Sequence, residues 1–162
     1  MNLPTLTVCV ALLLLAFGPA ASADPPTREV IPPGDDFTED ICGYPILVES
    51  EGRTIRKTFT KQGEVVRIIE TYPGFRWTLT NLDTGETFTV VIPGPLKLRF
   101  NADGTTTFQG TGPWGWIGTH PGTGETGFFL LRGRIFETTD AAGDVTSTFT
   151  GRTVDVCELL AP

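Results

Sequence analysis

From Ile41 onward, apolar and polar residues alternate along the chain with a period of two. The alternation is clearest in four runs, in which Thr, Lys or Arg mostly occupies the alternate positions: 75–80, 87–92, 96–100 and 145–150. This period places alternate side chains on opposite faces of a β-strand. No segment of this region shows convincing helical periodicity, and the best candidate is one turn at 158–160. The pattern predicts an all-β fold.

Turn signals separate the apolar runs at intervals of about ten residues. Each supplies Gly where a turn needs a positive φ, or Pro where it needs φ near −65°, as in Glu51-Gly52, Pro73-Gly74 and Ala142-Gly143. Regular spacing predicts a single antiparallel up-and-down meander of about 8–10 strands that closes into a barrel, since closure removes exposed sheet edges. The alternative is a β-sandwich, which needs longer crossover connections.

Two further patterns concern the second half of the chain. The run 128–136 is apolar on both faces at its start and is interrupted at Gly133, which predicts a long central strand with a bulge or bend there. The aromatic and Thr-Gly-Glu-Thr positions of 75–87 recur at 114–126, an offset of 39 residues. We interpret this echo as two similar meander units within one sheet.

The N-terminal segment 1–23 is typical of an export signal. An apolar run over 6–17 is followed by Ala21-Ser22-Ala23, so we expect cleavage after Ala23, secretion to the extracellular space and no membrane span in the mature chain. The expected mature chain, 24–162, contains two cysteines, Cys42 and Cys157. In an exported protein this pair predicts a disulfide that brings the start and the end of the folded domain together.

Residues 24–40 differ from the rest of the mature chain. They hold four Pro, one Gly and six acids, which predicts an extended or disordered acidic leader before a β-barrel domain at 41–162. The formal charge of −7 argues against a nucleic-acid partner. Most of this charge lies in the leader, and the near-neutral domain gives little reason to expect an ionic partner. The oligomeric state is left open.

The residues with catalytic chemistry are few. His120 is the only His, no Ser lies in a Gly-x-Ser-x-Gly elbow, and there is no phosphate loop, dinucleotide fingerprint or metal-ligand spacing. We therefore expect no cofactor and no metal, and we lean against an enzyme. Glu86 and Glu125 occupy equivalent places in the echo, so they are the one candidate acid/base pair, against the alternative of two solvated acids at hairpin exits.

Candidate ligand-binding residues centre on the aromatic segment around Gly115. On a strand, Trp114 and Trp116 face the same way and could form a platform for a sugar ring or a flat apolar ligand, with His120 at its edge. The alternative is that the rings fill the core, which the echo favours. Arg132 could bind an anionic ligand if it points inward, and otherwise it is an outward residue beside acids.

Four segments resemble a group of small secreted actinobacterial proteins to which no activity is assigned. They are Cys42-Gly43-Tyr44-Pro45, Gly112-Pro113-Trp114-Gly115-Trp116, Leu131-Arg132-Gly133-Arg134 and Asp155-Val156-Cys157-Glu158-Leu159-Leu160. The nine Arg against three Lys suggest a GC-rich genome. More distantly, Gly122-Thr123-Gly124 followed by Phe128 and Arg132-Gly133 is similar to the turn and strand of dirigent and allene-oxide-cyclase barrels, a likeness that implies a barrel fold.

Three functions are compatible with these features. The first is a secreted, non-catalytic binding module for a small-molecule or carbohydrate ligand, as the aromatic cluster suggests. The second is a small barrel enzyme of the cyclase or isomerase type, with His120, Glu125 or Arg132 converging in a cavity. The third is a structural or envelope-surface protein that has no pocket. The lining of the interior discriminates among them, and it depends on strand register.

Overall fold

A computed structural model describes residues 24–162, and the predicted export signal at 1–23 lies outside this range. Within it the chain forms eleven strands and one short helix, so the all-β prediction is confirmed. The elements are β1 (Thr27–Ile31), β2 (Phe37–Glu39), β3 (Ile46–Glu51), β4 (Thr54–Lys61), β5 (Glu64–Thr71), β6 (Arg76–Asn81), β7 (Thr87–Val91), β8 (Leu96–Phe100), β9 (Thr106–Thr119), β10 (Thr126–Thr139), β11 (Val145–Asp155) and α1 (Val156–Leu159).

The strands form two antiparallel sheets. One has seven strands in the order β1-β4-β5-β8-β9-β10-β11, and the other has four in the order β2-β3-β6-β7. No closed barrel is detected among residues 24–162. The order also departs from a simple meander, because only β4–β5 and the run β8–β11 pair with their neighbours in sequence within the larger sheet.

The chain changes sheets at short corners. Only Gly52 and Arg53 separate β3 in the smaller sheet from β4 in the larger one, and β6 follows β5 after a similarly short turn. Gly52 has a φ of +107°, and a Cβ at that position would lie 2.6 Å from the Cα of Phe75. Turn residues that predicted plain hairpins therefore make some of the corners between sheets.

Strand β10 is buried on both faces at its start, as the apolar run predicted. Phe128 and Leu130 pack against the four-stranded sheet, in a core that includes Ile46, Val48 and Leu79. On the opposite face, Phe129, Leu131 and Ile135 form a second core with aromatic residues of β9 and β11. We call this second side the inner face of the seven-stranded sheet, and the side that carries Arg132 and Arg134 its outer face.

The seven-stranded sheet bends around its inner face. Phe108 and Trp114 lie six residues apart on β9, which in a straight strand corresponds to about 20 Å. Their ring centroids are only 5.9 Å apart, so the strand must bend between them. Gly112, Gly133 and Gly151 lie opposite one another across β9, β10 and β11 in this region.

The bulge that the sequence allowed at Gly133 is not present. Register runs without a break through Gly133 to both neighbouring strands. A Cβ at this position would lie 2.1 Å from the carbonyl oxygen of Thr150, so the strands approach each other more closely than any other residue type allows.

Residues 24–40, predicted to be extended or disordered, include two extended strands that pair with the folded domain. They contain β1, which extends the edge of the seven-stranded sheet along β4, and β2, which pairs with β3. Every side chain of β1 except Ile31 is exposed, so its pairing rests on main-chain hydrogen bonds. Such pairing needs little apolar side-chain burial, which is why a polar, Pro-rich composition did not reveal it.

A disulfide joins Cys42 to Cys157, with the two Cα atoms 5.1 Å apart, as the cysteine count predicted. Cys157 lies in α1, whose first turn is capped by Asp155: its carboxylate accepts hydrogen bonds from the backbone N–H groups of Cys157 and Glu158. Val156 and Leu160 anchor this segment in the core between the sheets. Among residues 24–162, no helix is long and apolar enough to cross a membrane.

Candidate functional site

Trp114 is the centre of an aromatic cleft beside the junction of the two sheets. Its ring meets Tyr72 edge-on, with the centroids 5.6 Å apart, and Tyr72 in turn meets Phe75 at 5.7 Å. A cavity of about 210 Å³ opens here. Its lining is Tyr72, Phe75, Trp77, Ile92, Trp114 and Gly115.

Glycines make room for the two indoles of this cleft. Trp114 folds back over Gly110, where a Cβ would lie 3.0 Å from the indole, and its Nε1 donates a hydrogen bond to the carbonyl of Thr111 at 3.3 Å. Trp77 lies across Gly115, where a Cβ would come within 1.6 Å of the ring. Side chains at these glycines would displace the walls of the cleft.

A polar network lies behind Tyr72. Glu70 is nearly buried, with 12% of its side chain exposed, and its Oε1 accepts a hydrogen bond from Nε of Arg56 at 2.6 Å. Its Oε2 accepts the hydroxyl proton of Tyr72 at 2.7 Å. Burial and then the hydrogen bond to Glu70 raise the pKa of Tyr72, and the bond to Glu70 raises the pKa of Arg56. Each carboxylate oxygen has a donor, so Glu70 orients Tyr72 and is poorly placed to act as a base.

The sequence interpretation missed this network. Its only sequence signal is an acid at the end of the segment 65–69, which is apolar except for Arg67. The partner Arg56 lies 14 residues away, and only the β4–β5 register brings it opposite Glu70.

The two tryptophans of β9 share the inner face but differ in surroundings. They lie opposite Leu131 and Phe129 of β10 and pack against the inner-face core. Trp114 lines the cleft, whereas Trp116 does not, and Nε1 of Trp116 donates to the carbonyl of Thr119 at 2.8 Å. The predicted platform is thus divided, with Trp114 joined by Tyr72, Phe75 and Trp77 instead of Trp116 and His120.

His120 organises the β9–β10 turn. The residue is 4% exposed, and its Nδ1 accepts hydrogen bonds from the backbone N–H groups of Gly122 and Thr123. The ring proton therefore lies on Nε2, which is 2.8 Å from Oγ1 of Thr153 and donates to it. Both ring nitrogens form hydrogen bonds within the fold, so His120 has no free hydrogen-bonding group for a ligand in the cleft.

Asn81 holds the equivalent position in the β6–β7 turn. Its Oδ1 accepts from the backbone N–H groups of Asp83 and Thr84, and its Nδ2 donates to the carbonyl of Leu160 at 2.7 Å. The echo in the sequence therefore corresponds to a shared turn geometry. The prediction that both units lie in one sheet is wrong, because β6–β7 belong to the smaller sheet and β9–β10 to the larger.

The remaining candidate residues lie outside the cleft. Glu86 and Glu125 are exposed at their turns, and the carboxylate of Glu125 accepts a hydrogen bond from the hydroxyl of Thr123. Arg132 is exposed on the outer face, directly opposite Arg152. The expectation that Arg132 lies beside acids is therefore not met at its β11 partner.

Within residues 24–162, no cluster of three or more His, Cys, Asp or Glu side chains has the arrangement of a metal site. Comparison with known proteins found no matching family model, no matching curated protein and no matching solved structure. The candidate site therefore has to be interpreted from its own geometry.

Proposed function

We propose that the protein is a secreted, non-catalytic binding module that holds a small apolar ligand or a single sugar ring in the aromatic cleft. The observation that carries this proposal is the cavity of about 210 Å³ walled by Tyr72, Phe75, Trp77 and Trp114. Aromatic walls with few polar groups are typical of sites that bind the flat face of a ring.

Hydrogen bonding at the cleft narrows the class of ligand. The Tyr72 hydroxyl donates to Glu70, so towards a ligand its oxygen is an acceptor. The Trp114 Nε1 already donates to Thr111. A ligand with one hydroxyl or amine donor beside an apolar face suits this arrangement better than a charged one.

The cleft favours a binding function over an enzyme of the cyclase or isomerase type and over a structural protein without a pocket. A cyclase or isomerase needs polar groups that converge on a cavity. His120 and Glu125 share the β9–β10 turn, but both ring nitrogens of His120 are bonded within the fold and Glu125 is exposed. Arg132 lies on the outer face, and Glu70 is occupied by Arg56 and Tyr72. A protein without a pocket would not need the glycines that shape the cleft.

The cellular location and the finer architecture belong to the same proposal. The Cys42–Cys157 disulfide supports an oxidising, extracellular location after removal of 1–23. The strong bend of the seven-stranded sheet supports a barrel-like sheet, and the four-stranded sheet packed on β10 supports a sandwich, with the cleft beside their junction. The resemblance to actinobacterial secreted proteins is compatible with both.

The test compares the two tryptophans of β9. Saturation-transfer NMR with glucose, N-acetylglucosamine, cellotriose and indole would screen the purified protein, followed by titration of any hit. We expect Trp114→Leu to weaken binding of a hit at least tenfold and the matched Trp116→Leu variant to change it less than threefold. Equal losses in both variants, or no loss in Trp114→Leu, would contradict the cleft as the binding site.

A further inference from the structure

The outer face of the seven-stranded sheet gathers most of the cationic side chains of the chain. Five occupy outer-face positions on β1, β4, β5 and β8, and three more lie on β10 and β11. These are eight of the twelve Lys and Arg residues. The first group is Arg28, Lys57, Arg67, Lys97 and Arg99, and the second is Arg132, Arg134 and Arg152.

Only one carboxylate occupies an outer-face position in the described strands: Glu64, which lies opposite Lys61 at the end of β5. One continuous row of register positions, for example, runs Arg28, Lys57, Ile69, Lys97, Gln109, Phe136 and Thr148 across all seven strands. The other acids of these strands lie at inner-face positions, where Arg56 pairs with Glu29 and Glu70. A chain with a net charge of −7 therefore presents a positive surface.

Several of these cations face each other directly. Arg28 lies opposite Lys57, Arg67 opposite Arg99, and Arg132 opposite Arg152. Like charges at directly opposed positions destabilise a sheet. Within residues 24–162, carboxylates form ion pairs only with Arg56 and Arg76, so these cations have no carboxylate partner there.

A groove at one corner of the outer face also has more cationic than acidic side chains in its lining. It measures about 380 Å³, and its lining includes Lys61, Arg67 and Arg99, with Asp24 as the one acid. Arg67 lies over the ring of Phe59, with its Cζ 3.8 Å from the centroid. The Nε of Arg67 is buried and has no acceptor among residues 24–162, which an anionic oxygen in the groove would supply.

We propose that the outer face binds an acidic polysaccharide, with its carboxylate or sulfate groups on the arginines and its hydroxyl groups on the intervening Thr side chains. The excess of cations makes this face complementary in charge to an anionic partner. Arginines on neighbouring strands lie about 5 Å apart and successive outward positions about 7 Å apart along a strand, so the face offers a spread of anion sites suited to a polymer.

The other polar residues of the face favour a sugar polymer over nucleic acid. Thr side chains occupy the outer positions between the two cationic groups, including Thr107, Thr111, Thr138, Thr148 and Thr150. Phe136 is the large aromatic residue exposed among them, at 43%. Single-stranded nucleic acid would require several stacking aromatics, and a duplex would meet a bent sheet with no helix to enter a groove. This second site is independent of the aromatic cleft.

The experiment measures binding of the purified protein to fluorescently labelled heparin and alginate oligosaccharides by anisotropy at 50 mM NaCl. The two probes distinguish sulfate from carboxylate recognition, and neutral dextran and a DNA 20-mer complete the set. We expect measurable binding to at least one acidic polysaccharide, none to dextran, and weaker binding to DNA. The affinity should fall steeply as salt is added, since bound counterions are released.

Two double variants separate position from net charge. Arg132→Gln/Arg152→Gln removes two outer-face cations, and Arg53→Gln/Arg76→Gln removes two cations from elsewhere, so both variants carry the same net charge. We expect the first to weaken binding at least tenfold and the second less than twofold. Equal weakening, binding to neither polysaccharide, or stronger binding to DNA would each overturn the proposal, and none of these results would bear on the cleft.

Discussion

The two faces of strands β9, β10 and β11 use their polar residues in opposite ways. On the inner face, each notable polar group has a partner: His120 bonds to Thr153, and the hydroxyl of Ser147 donates to Glu137 at 2.9 Å. On the outer face, Arg132 and Arg152 oppose each other without a carboxylate. Hydrogen-bonded polar groups stabilise a fold, whereas opposed like charges destabilise it. A binding partner of opposite charge would remove that repulsion. The inner face therefore serves folding, whereas the part of the outer face beyond the core with the four-stranded sheet carries exposed cations.

The largest expected effect tests the bend that makes the inner face concave. In Gly133→Ala, the new methyl group would meet the carbonyl oxygen of Thr150 and the Cα of Gly151, and backbone atoms cannot move aside as a flexible side chain can. We expect a loss of more than about 3 kcal/mol in the free energy of unfolding, or failure to fold. Urea denaturation followed by tryptophan fluorescence measures this.

Gly34→Ala is the matched control for that substitution. A Cβ at Gly34 meets nothing within 4 Å, and its φ is not in the left-handed region. Its stability should change by less than about 0.5 kcal/mol. A Gly133→Ala variant as stable as this control would mean that the close approach of β10 and β11 is not required.

The second prediction contrasts two adjacent residues on opposite faces. Leu131 is fully buried in the inner-face core, and Leu131→Ala should cost about 3 kcal/mol through lost burial and a residual cavity. Arg132→Ala removes an exposed cation that opposes Arg152, so its stability should stay within about 0.5 kcal/mol of the parent. Comparable losses at the two positions in urea denaturation would contradict the division between the faces.

The sequence was sufficient to predict the faces of individual strands. Leu96 and Leu98 were expected on one side and Lys97 on the other, and the structure places Leu98 opposite Phe108 and Lys97 opposite Gln109. The recurrence of Thr-Gly-Glu-Thr also corresponded to a real similarity, in the two turns organised by Asn81 and His120. These features are local, because alternation and turn chemistry act over a few residues.

Strand pairing could not be predicted in the same way. Arg28 and Lys57 belong to segments that were assigned to a leader and a domain, and only the β1–β4 register places them opposite each other. Net charge by segment gave no hint of the cationic outer face for the same reason. Which side chains share a surface depends on register between distant strands, and composition contains no information about register. The Glu70–Arg56 pair could not be predicted for the same reason.

The third prediction concerns alkaline pH and the polar network behind the cleft. The raised pKa of Tyr72 means that the folded state favours the neutral phenol more than the unfolded state does. Its stabilising contribution is complete below the ordinary pKa of about 10 and is lost as the pH rises above that value. The free energy of unfolding should therefore fall as pH rises above 10.

Tyr72→Phe provides the comparison for this pH dependence. The variant should be less stable at pH 8 because Glu70 loses a donor, and its stability should fall less steeply above pH 10. A residual slope is expected from Tyr44, whose pKa is also raised, by burial and then by Asp155. Unchanged steepness in Tyr72→Phe, measured by urea denaturation across pH 8 to 11, would show that the network does not control the alkaline transition.

The smallest expected effect comes from relief of repulsion on the outer face. Arg99→Gln removes one of two opposed arginines, so at low ionic strength we expect a gain of about 0.5 kcal/mol. Added salt should reduce this gain, since screening acts over about 8 Å at 0.15 M. Arg76→Gln is the control, and it should change stability in the opposite direction because Arg76 pairs with Glu51 on the smaller sheet. We expect the free energy of unfolding to fall by at most about 1 kcal/mol. If both variants destabilised the protein equally at low salt, Arg99 would contribute as much stability as the ion-paired Arg76. That result would contradict the claim that the outer-face cations repel one another.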